Sequence, residues 1–541
     1  MVHNEEQKVP FNKARSLKVI GAALITLFAI VAIIEFRALK HDNGVFCYPL
    51  DDAFIHLALA KNVAHYGNWG ATRFRFESAS SSLLWTVILS ACTLAVSNTV
   101  LVPFVVNVIA AIILIIVIQR WLEKQNIGTS AQILILICVI YFTPLPLLIV
   151  SGMEHTIQCL VSFLFIYTFA TWIGKVSQQQ EGKWVLPWQL YIYGFLATAV
   201  RYEGMFIIAI AGLILLYYRR IFTAISLGII SLLPILIYGI YSLSKGSYFF
   251  PNSVLLKSNS ETKGILSQIS RIFGERLSTG TIEAAATQRL LLILPIAYLI
   301  FKSNIIGRPA YKFIMLIVSA CAFLQLGFAS TGWYDRYEAY LILCSVPLLG
   351  VLICKYGKSI LYKTDKKYYL IYTLIAFLLI SPLVFRSAHG LKISSNAIEN
   401  IYDQQYQMGQ FMKKYYNNDK IAANDIGCVF YFTQGDNLDL WGLSELEIAK
   451  SKRNHTCTPD FLYNITKKKD IKVAVIYDSW FDKEMYGRWT KVATWTIPHN
   501  VIDGDDNVSF YAIDKNYQPG LKANLQQFQN SLPKGVTVEY Y

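Results

Sequence analysis

Long apolar stretches separated by short polar breaks dominate the chain up to about residue 385, and polar sequence takes over from there to Tyr541. Eleven stretches come near the length a bilayer demands, at 17–36, 99–119, 131–150, 156–173, 187–202, 204–218, 221–243, 288–302, 312–330, 338–354 and 368–385. The first follows Lys8, Lys13 and Arg15, carries Lys18 at its start and has no small-residue cleavage site, so it reads as an uncleaved first helix. Beyond 385, helical stretches alternate with short β-rich runs such as Lys420–Ala423 and Lys472–Tyr477. The pattern predicts a polytopic α-helical membrane module over 1–385 and a soluble α/β domain over 386–541.

One more apolar run, 80–96, decides the topology. If it spans, the basic loops holding Arg120 and Lys124, Lys175 and Lys183, Arg219 and Arg220, and Lys302, Arg308 and Lys312 all fall outside. If it does not, they join the N-terminus and the loop Lys355–Lys367 on the cytoplasmic side, as the positive-inside rule requires. The run then lies at the outer interface, with Trp85 as an interfacial anchor. That choice gathers Asp51 and Asp52, Ser151 to His155, Arg201 to Glu203, Tyr248 to Lys257, Trp333 to Glu338 and the whole C-terminal domain on one periplasmic or extracellular face.

Composition agrees. With 541 residues, 54% hydrophobic and 16% charged, and a mean hydropathy of +0.40, the chain is too apolar for a soluble protein. The net charge of +14 sits in short loops between apolar runs, which is a topology signal and not a nucleic-acid footprint. Most of the nine cysteines lie in apolar segments and serve as packing. Cys428 and Cys457 lie in the polar part, where a disulfide or two unpaired thiols are equally open.

The candidate chemistry starts at Asp51 and Asp52, which open a helix that ends near Gly67. One Asp could cap that helix while the other complements its dipole. Carboxylates at a bilayer edge are also functional suspects, one able to take the proton of an acceptor hydroxyl while the other orients it or holds a cation. Glu154 and His155 follow Ser151-Gly152-Met153, either as an ordinary interfacial turn or as groups that position a substrate. Arg201-Tyr202-Glu203-Gly204 interrupts another apolar stretch, either as a structural ion pair or as a phosphate site. Trp333 to Glu338 is a third such turn, carrying Arg336 amid aromatic residues. Guanidinium groups suit a lipid phosphate because their planar fork donates two hydrogen bonds at once.

Together these residues resemble those of a membrane glycosyltransferase of the GT-C superfamily, most of all the terminal arabinofuranosyltransferase-like (AftB-type) family. The likeness is carried by Asp51-Asp52-Ala53-Phe54-Ile55 with Gly67 and Glu77 before Leu84-Trp85, by Ser151-Gly152-Met153-Glu154 and Arg201-Tyr202-Glu203-Gly204, and by Pro251-Asn252-Ser253 with Lys257. Arg336-Tyr337, and Asn424-Asp425-Ile426-Gly427 leading to Asp439-Leu440-Trp441-Gly442-Leu443, complete the ordered set. The family's Gly and Pro before the Leu-Trp pair are replaced by Ser78-Ala79-Ser80-Ser81-Ser82-Leu83, and Tyr202 stands where a Pro commonly follows the Arg. The resemblance implies a GT-C-like fold with about eleven transmembrane helices and periplasmic juxtamembrane helices, in a bacterial inner membrane. It also implies a polyprenyl-phosphate-linked sugar donor and a glycan or glycolipid acceptor in the cell envelope.

On that reading Asp51 is the general base, transfer proceeds with inversion, and Arg201, Arg336 and Lys257 stabilise the leaving phosphate. Glu154, His155 and Glu203 hold donor or acceptor. A divalent cation (Mg, Mn or Ca) on Asp51 and Asp52 is compatible, although no spacing demands it. A lipid-linked sugar transporter would be expected to show repeated halves and charges near the bilayer midplane, and neither is evident. A glycan polymerase or ligase and a non-catalytic scaffold remain as alternatives.

Overall fold

A computed structural model describes residues 13–96, 99–178, 184–257, 308–363 and 369–541, with the backbone alone at Lys257 and at 358–363, 369, 371–373, 375–376 and 378–379. The predicted span 288–302 lies outside the described residues. Helix α1 (Lys13–His41) is followed by α2 (Asp52–Tyr66) and α3 (Leu83–Thr93). The bundle continues with α4 (Val102–Glu123), α5 (Thr129–Phe142), α6 (Leu145–Val150) and α7 (His155–Val176). Then come α8 (Trp188–Val200), α9 (Gly204–Tyr217), α10 (Ile221–Ser244) and α11 (Asn252–Lys257). Three long helices close it: α12 (Pro309–Phe328), α13 (Ala339–Lys363) and α14 (Tyr369–Ile401).

Among the described residues, six helices are long and apolar enough to cross a membrane: Lys13–His41, Thr99–Glu123, His155–Val176, Ile221–Ser244, Pro309–Phe328 and Ala339–Gly357. Other expected spans are shorter in the structure. The run 131–150 is two helices, because Pro144 ends α5 and restarts the chain as α6. The expected segments 187–202 and 204–218 are two short helices, Trp188–Val200 and Gly204–Tyr217, joined at Arg201, whose backbone is extended at φ −150° and ψ 144°. Gly204 makes that junction compact: a Cβ there would meet the Ala197 carbonyl oxygen at 2.3 Å. Helix α3 has 11 residues, about 16 Å of rise, roughly half of what a bilayer core requires.

Trp85 departs from expectation. It is 1% exposed and packs with Ala60, Leu89 and Val102, so it is a core residue and not an interfacial anchor. Trp85 is buried because α3 packs against α2, α4 and α8.

Helix α14 runs unbroken past residue 385 and carries the chain out of the bundle into a C-terminal lobe. A π-helical turn (Tyr402–Tyr406) leads to α15 (Gln407–Tyr416), β1 (Ile421–Ala423), α16 (Gly427–Phe432) and β2 (Leu438–Asp439). Next are α17 (Leu446–Arg453), α18 (Pro459–Lys468), β3 (Val473–Ile476), β4 (Thr490–Thr496), β5 (Asn507–Ala512), α19 (Gln518–Gln529) and β6 (Thr537–Tyr540). The strands form one sheet in the order β2-β1-β3-β5-β4-β6, parallel in its first three members and antiparallel after that. Continuously apolar β3 (Val-Ala-Val-Ile) is buried along its whole length, as a central strand covered on both faces must be. Cys428 and Cys457 are both free thiols, Cys428 fully buried under the lobe's contact with α2, so of the two readings left open the structure has the unpaired thiols.

Helix α2 joins the two parts. It packs against α3 in the bundle and against α16 in the lobe, which leaves nine of its fifteen residues buried.

Candidate active site

The acidic pair at the start of α2 is split between two environments. Asp51 occupies the N-cap position of α2 but makes no side-chain bond to that helix. Its carboxylate instead accepts the backbone N–H groups of Gly427 and Cys428, capping α16 from across the seam. The approach is so close that a Cβ on residue 427 would meet the Asp51 carbonyl oxygen at 2.0 Å, which explains the glycine. Asp51 is 6% exposed. Burial, with the neighbouring Asp425 carboxylate, pushes its pKa well up against the opposing pull of the two N–H donors. Asp425 is raised for the same first reason, so the pair favours sharing a proton.

Asp52 faces the other way. It lines a cavity of about 310 Å3 bounded by Ile55, His56, Ser81, Tyr202, Arg336 and Tyr337, among others. The Asp51 carboxylate is turned to Gly427 and Cys428, and the Asp52 carboxylate to Arg336. Among the described residues no group of three or more His, Cys, Asp or Glu is assembled to hold a metal ion.

Arg336 is 1% exposed and lines the cavity, its Nη2 bonded to Asp52 and to the Tyr337 hydroxyl. Its Nε and Nη1 have no hydrogen-bond partner. Two guanidinium nitrogens left unmatched in a buried wall are costly unless a ligand completes them. The side chain is delivered by an unusual turn: Gly332, Trp333, Tyr334 and Asp335 all have positive φ, at 79°, 37°, 57° and 55°. Arg386, from α14, braces this turn through ion pairs with Asp335 (2.8 Å) and Glu338 (3.1 Å).

Arg201 also lines the cavity, but each of its three nitrogens already has a partner. It donates to Glu203 through Nε (3.0 Å) and Nη2 (2.6 Å), and to Glu154 (2.8 Å) and the Ser81 hydroxyl (3.1 Å) through Nη1. Glu154 is fully buried; burial pushes its carboxyl up, but His155, Arg201 and His56 outweigh that and hold it at about 2. Arg201, Glu154 and Glu203 therefore form a fixed ionic wall. His155 is buried behind it, edge-on to Tyr337 at 5.9 Å, with neither ring nitrogen hydrogen-bonded. The Lys257 side chain lies outside the described residues.

The remaining walls are apolar: Met153, Met205, Phe206, Val254, Phe328 and Leu443. Phe328, at the end of α12, is 49% exposed and marks an apolar mouth. Ser253 reaches the cavity with an unpartnered hydroxyl, and its neighbour Asn252 is buried with its whole side-chain amide unpaired. Two residues were missed in the sequence. His56 lies one turn beyond Asp52 on the same helix face, a spacing that could have exposed it. Arg386 is the first charge after an apolar run, a position that signals topology as readily as structure.

A family model described as a domain of unknown function (DUF8728) matches residues 399–511, within the lobe. No curated protein matches the chain. Among solved structures, ArnT from Cupriavidus metallidurans bound to undecaprenyl phosphate aligns with a TM-score of 0.51 at 11% identity, over 91% of this chain and 98% of that one. The same protein in the apo state gives 0.48 at 10% identity over the same shares. At this identity the likeness is one of fold and carries no arabinofuranosyl specificity. From first helix to terminal lobe, the chain has the fold of ArnT.

Proposed function

We propose that the chain is a membrane glycosyltransferase of the GT-C type that takes its sugar from a polyprenyl-phosphate donor. The observation that carries this is Arg336: buried, lining a mostly apolar cavity, with two guanidinium nitrogens unmatched beside a carboxylate that also faces the cavity. That combination fits a phosphate on an isoprenoid tail. The fold supports it, since ArnT has been solved with undecaprenyl phosphate bound.

In the proposed reaction Asp52, not Asp51, takes the proton of the acceptor hydroxyl. The freed oxygen lone pair forms a new bond to the anomeric carbon, the carbon–oxygen bond to phosphate breaks, and polyprenyl phosphate leaves with the electrons of that broken bond as the anomeric centre inverts. Arg336 meets the charge growing on the phosphate through Nε and Nη1. Arg201, already matched by Glu154 and Glu203, holds the wall that shapes the sugar site and does not bind phosphate. Asp51 fixes the lobe over α2. The acceptor is a cell-envelope glycan or glycolipid entering from the lobe side, where Leu443 joins the cavity, on the periplasmic face of the membrane.

The test is transfer of labelled sugar from synthetic polyprenyl-phosphate donors by the purified protein. Asp52→Asn should lower the rate by about 10²–10⁴-fold, the usual range for a general base. Undiminished transfer by Asp52→Asn, or none from any donor by the intact protein, would overturn the reading.

A further inference from the structure

A second cavity, of about 270 Å3, lies where the far end of α2 and the loop after it meet the lobe. Three cationic or basic side chains line it, Lys61, His65 and Arg73, together with Thr72 and Thr433, whose hydroxyls donate to Glu77 and to the Val429 carbonyl; no carboxylate does, among the described residues. The nearby acids are all engaged elsewhere. Glu77 accepts from Thr72 and pairs with Arg75, and Asp436 is also turned to Arg75.

The contrast between Arg73 and Arg75 is informative. Arg75 meets three carboxylates, Glu77, Asp436 and Glu445. Arg73, two residues earlier, lies only over the rings of Tyr66 (5.7 Å) and Phe74 (5.0 Å). Lys61 donates to the Tyr431 carbonyl. Burial, and then the charges of Lys413 and Arg73, depress its pKa to about 8. Gathering cations without a counter-charge costs stability, so the arrangement calls for an anion from outside the chain. Exposed apolar side chains lie close by in the chain: Tyr66 of the lining is 52% exposed, and Phe74 and Leu94, next to the lining residues Arg73 and Thr93, are 51% and 67% exposed. Basic groups beside exposed apolar side chains suit a phosphate held at a lipid boundary.

We infer that this cavity is a phosphate-binding site, separate from the one at Arg336 and able to take a phospholipid headgroup or a free phosphate. Lys61 lies nine residues along α2 from Asp52, about 14 Å by helix rise, so the two sites occupy opposite ends of one rigid element. Nothing in the inference depends on the transferase reading.

The experiment uses the full chain in nanodiscs. One arm measures retained phosphatidylglycerol by native mass spectrometry against a phosphatidylcholine background. The other measures binding of labelled orthophosphate. Arg73→Gln should weaken whichever probe binds by about tenfold, the scale of one lost charge-assisted contact. Lys61→Gln should do the same, and in an Arg336→Gln background, where the first cavity no longer competes for phosphate, Arg73→Gln should still weaken the bound probe. Retention of the lipid without orthophosphate binding identifies a headgroup site, and orthophosphate binding lost in the same variants identifies a free-phosphate site. Since Lys61 also holds the lobe through Tyr431, Arg73→Gln, folded by its melting temperature, is the decisive variant. If it binds both probes as the wild type does, or if the wild type binds neither, the inference is overturned.

Discussion

Two arginines at the same cavity show how partners decide a role. Arg201 is held by two carboxylates, and removing it would strand Glu154 and Glu203 in a buried wall. Arg201→Met should therefore cost about 3–5 kcal/mol of stability, as broken buried pairs do, seen as a lower unfolding midpoint. Arg336→Met should leave the fold far less affected and instead abolish retention of polyprenyl phosphate, measured by native mass spectrometry. Equal destabilisation by both would remove the distinction. Gly427 tests the seam in the same way. A methyl group there meets Asp51 backbone and carboxyl atoms at 2.0 and 2.6 Å, so Gly427→Ala should cost about 1–3 kcal/mol by overpacking. Limited proteolysis should show the lobe released first.

At the scale of elements, the turn 332–335 stores strain. Three non-glycine residues in left-handed backbone cost on the order of 1–3 kcal/mol each and persist only when something over-determines them. Arg386 does this through Asp335 and Glu338, while the Gly332 N–H is held by Glu338 at 3.0 Å. Arg386 touches neither the cavity nor any reacting group, so it is a positioning residue. Arg386→Gln should displace Arg336 and lower kcat/KM by about 10²-fold, the cost of a roughly 1 Å misplacement, and weaken polyprenyl-phosphate retention in parallel. Unchanged kinetics would show that the turn holds itself. The other decisive element is α2, whose two ends carry Asp52 and Lys61 and whose N-cap residue serves a helix of the lobe.

For the whole molecule, the joint between bundle and lobe contains buried acids. Asp42, just past α1, is pushed up to about 8 by burial and then by Glu399. Asp403, in the π-helical turn, is pushed up to about 7 by burial, with His41 opposing and Asp42 and Glu399 adding to it. Each folded pKa lies above the ordinary carboxylate value, so the folded state binds more protons between the two. Their stabilising contribution is full at low pH and is lost as pH rises through about 7–8. The melting temperature should fall between pH 6 and roughly pH 9, and Asp42→Asn should flatten that slope. A slope identical in Asp42→Asn would assign the pH response to other groups.

The apolar runs placed most helices to within a few residues, because bilayer length and apolar composition are local properties that the chain carries in every window. The strands at 421–423 and 473–476 were legible for the same reason. So was the gathering of Asp52, Arg201, Glu203 and Arg336 on one face, which charge distribution between loops implied before any contact was known. Local sequence could not separate Asp51 from Asp52, since which carboxylate faces the cavity depends on a lobe almost 400 residues later pressing Gly427 against α2. Nor could it show that Arg201 is neutralised while Arg336 keeps unmatched donors, or that Trp85 is buried. Partnership and burial are set by which helices meet, and only the tertiary structure decides that.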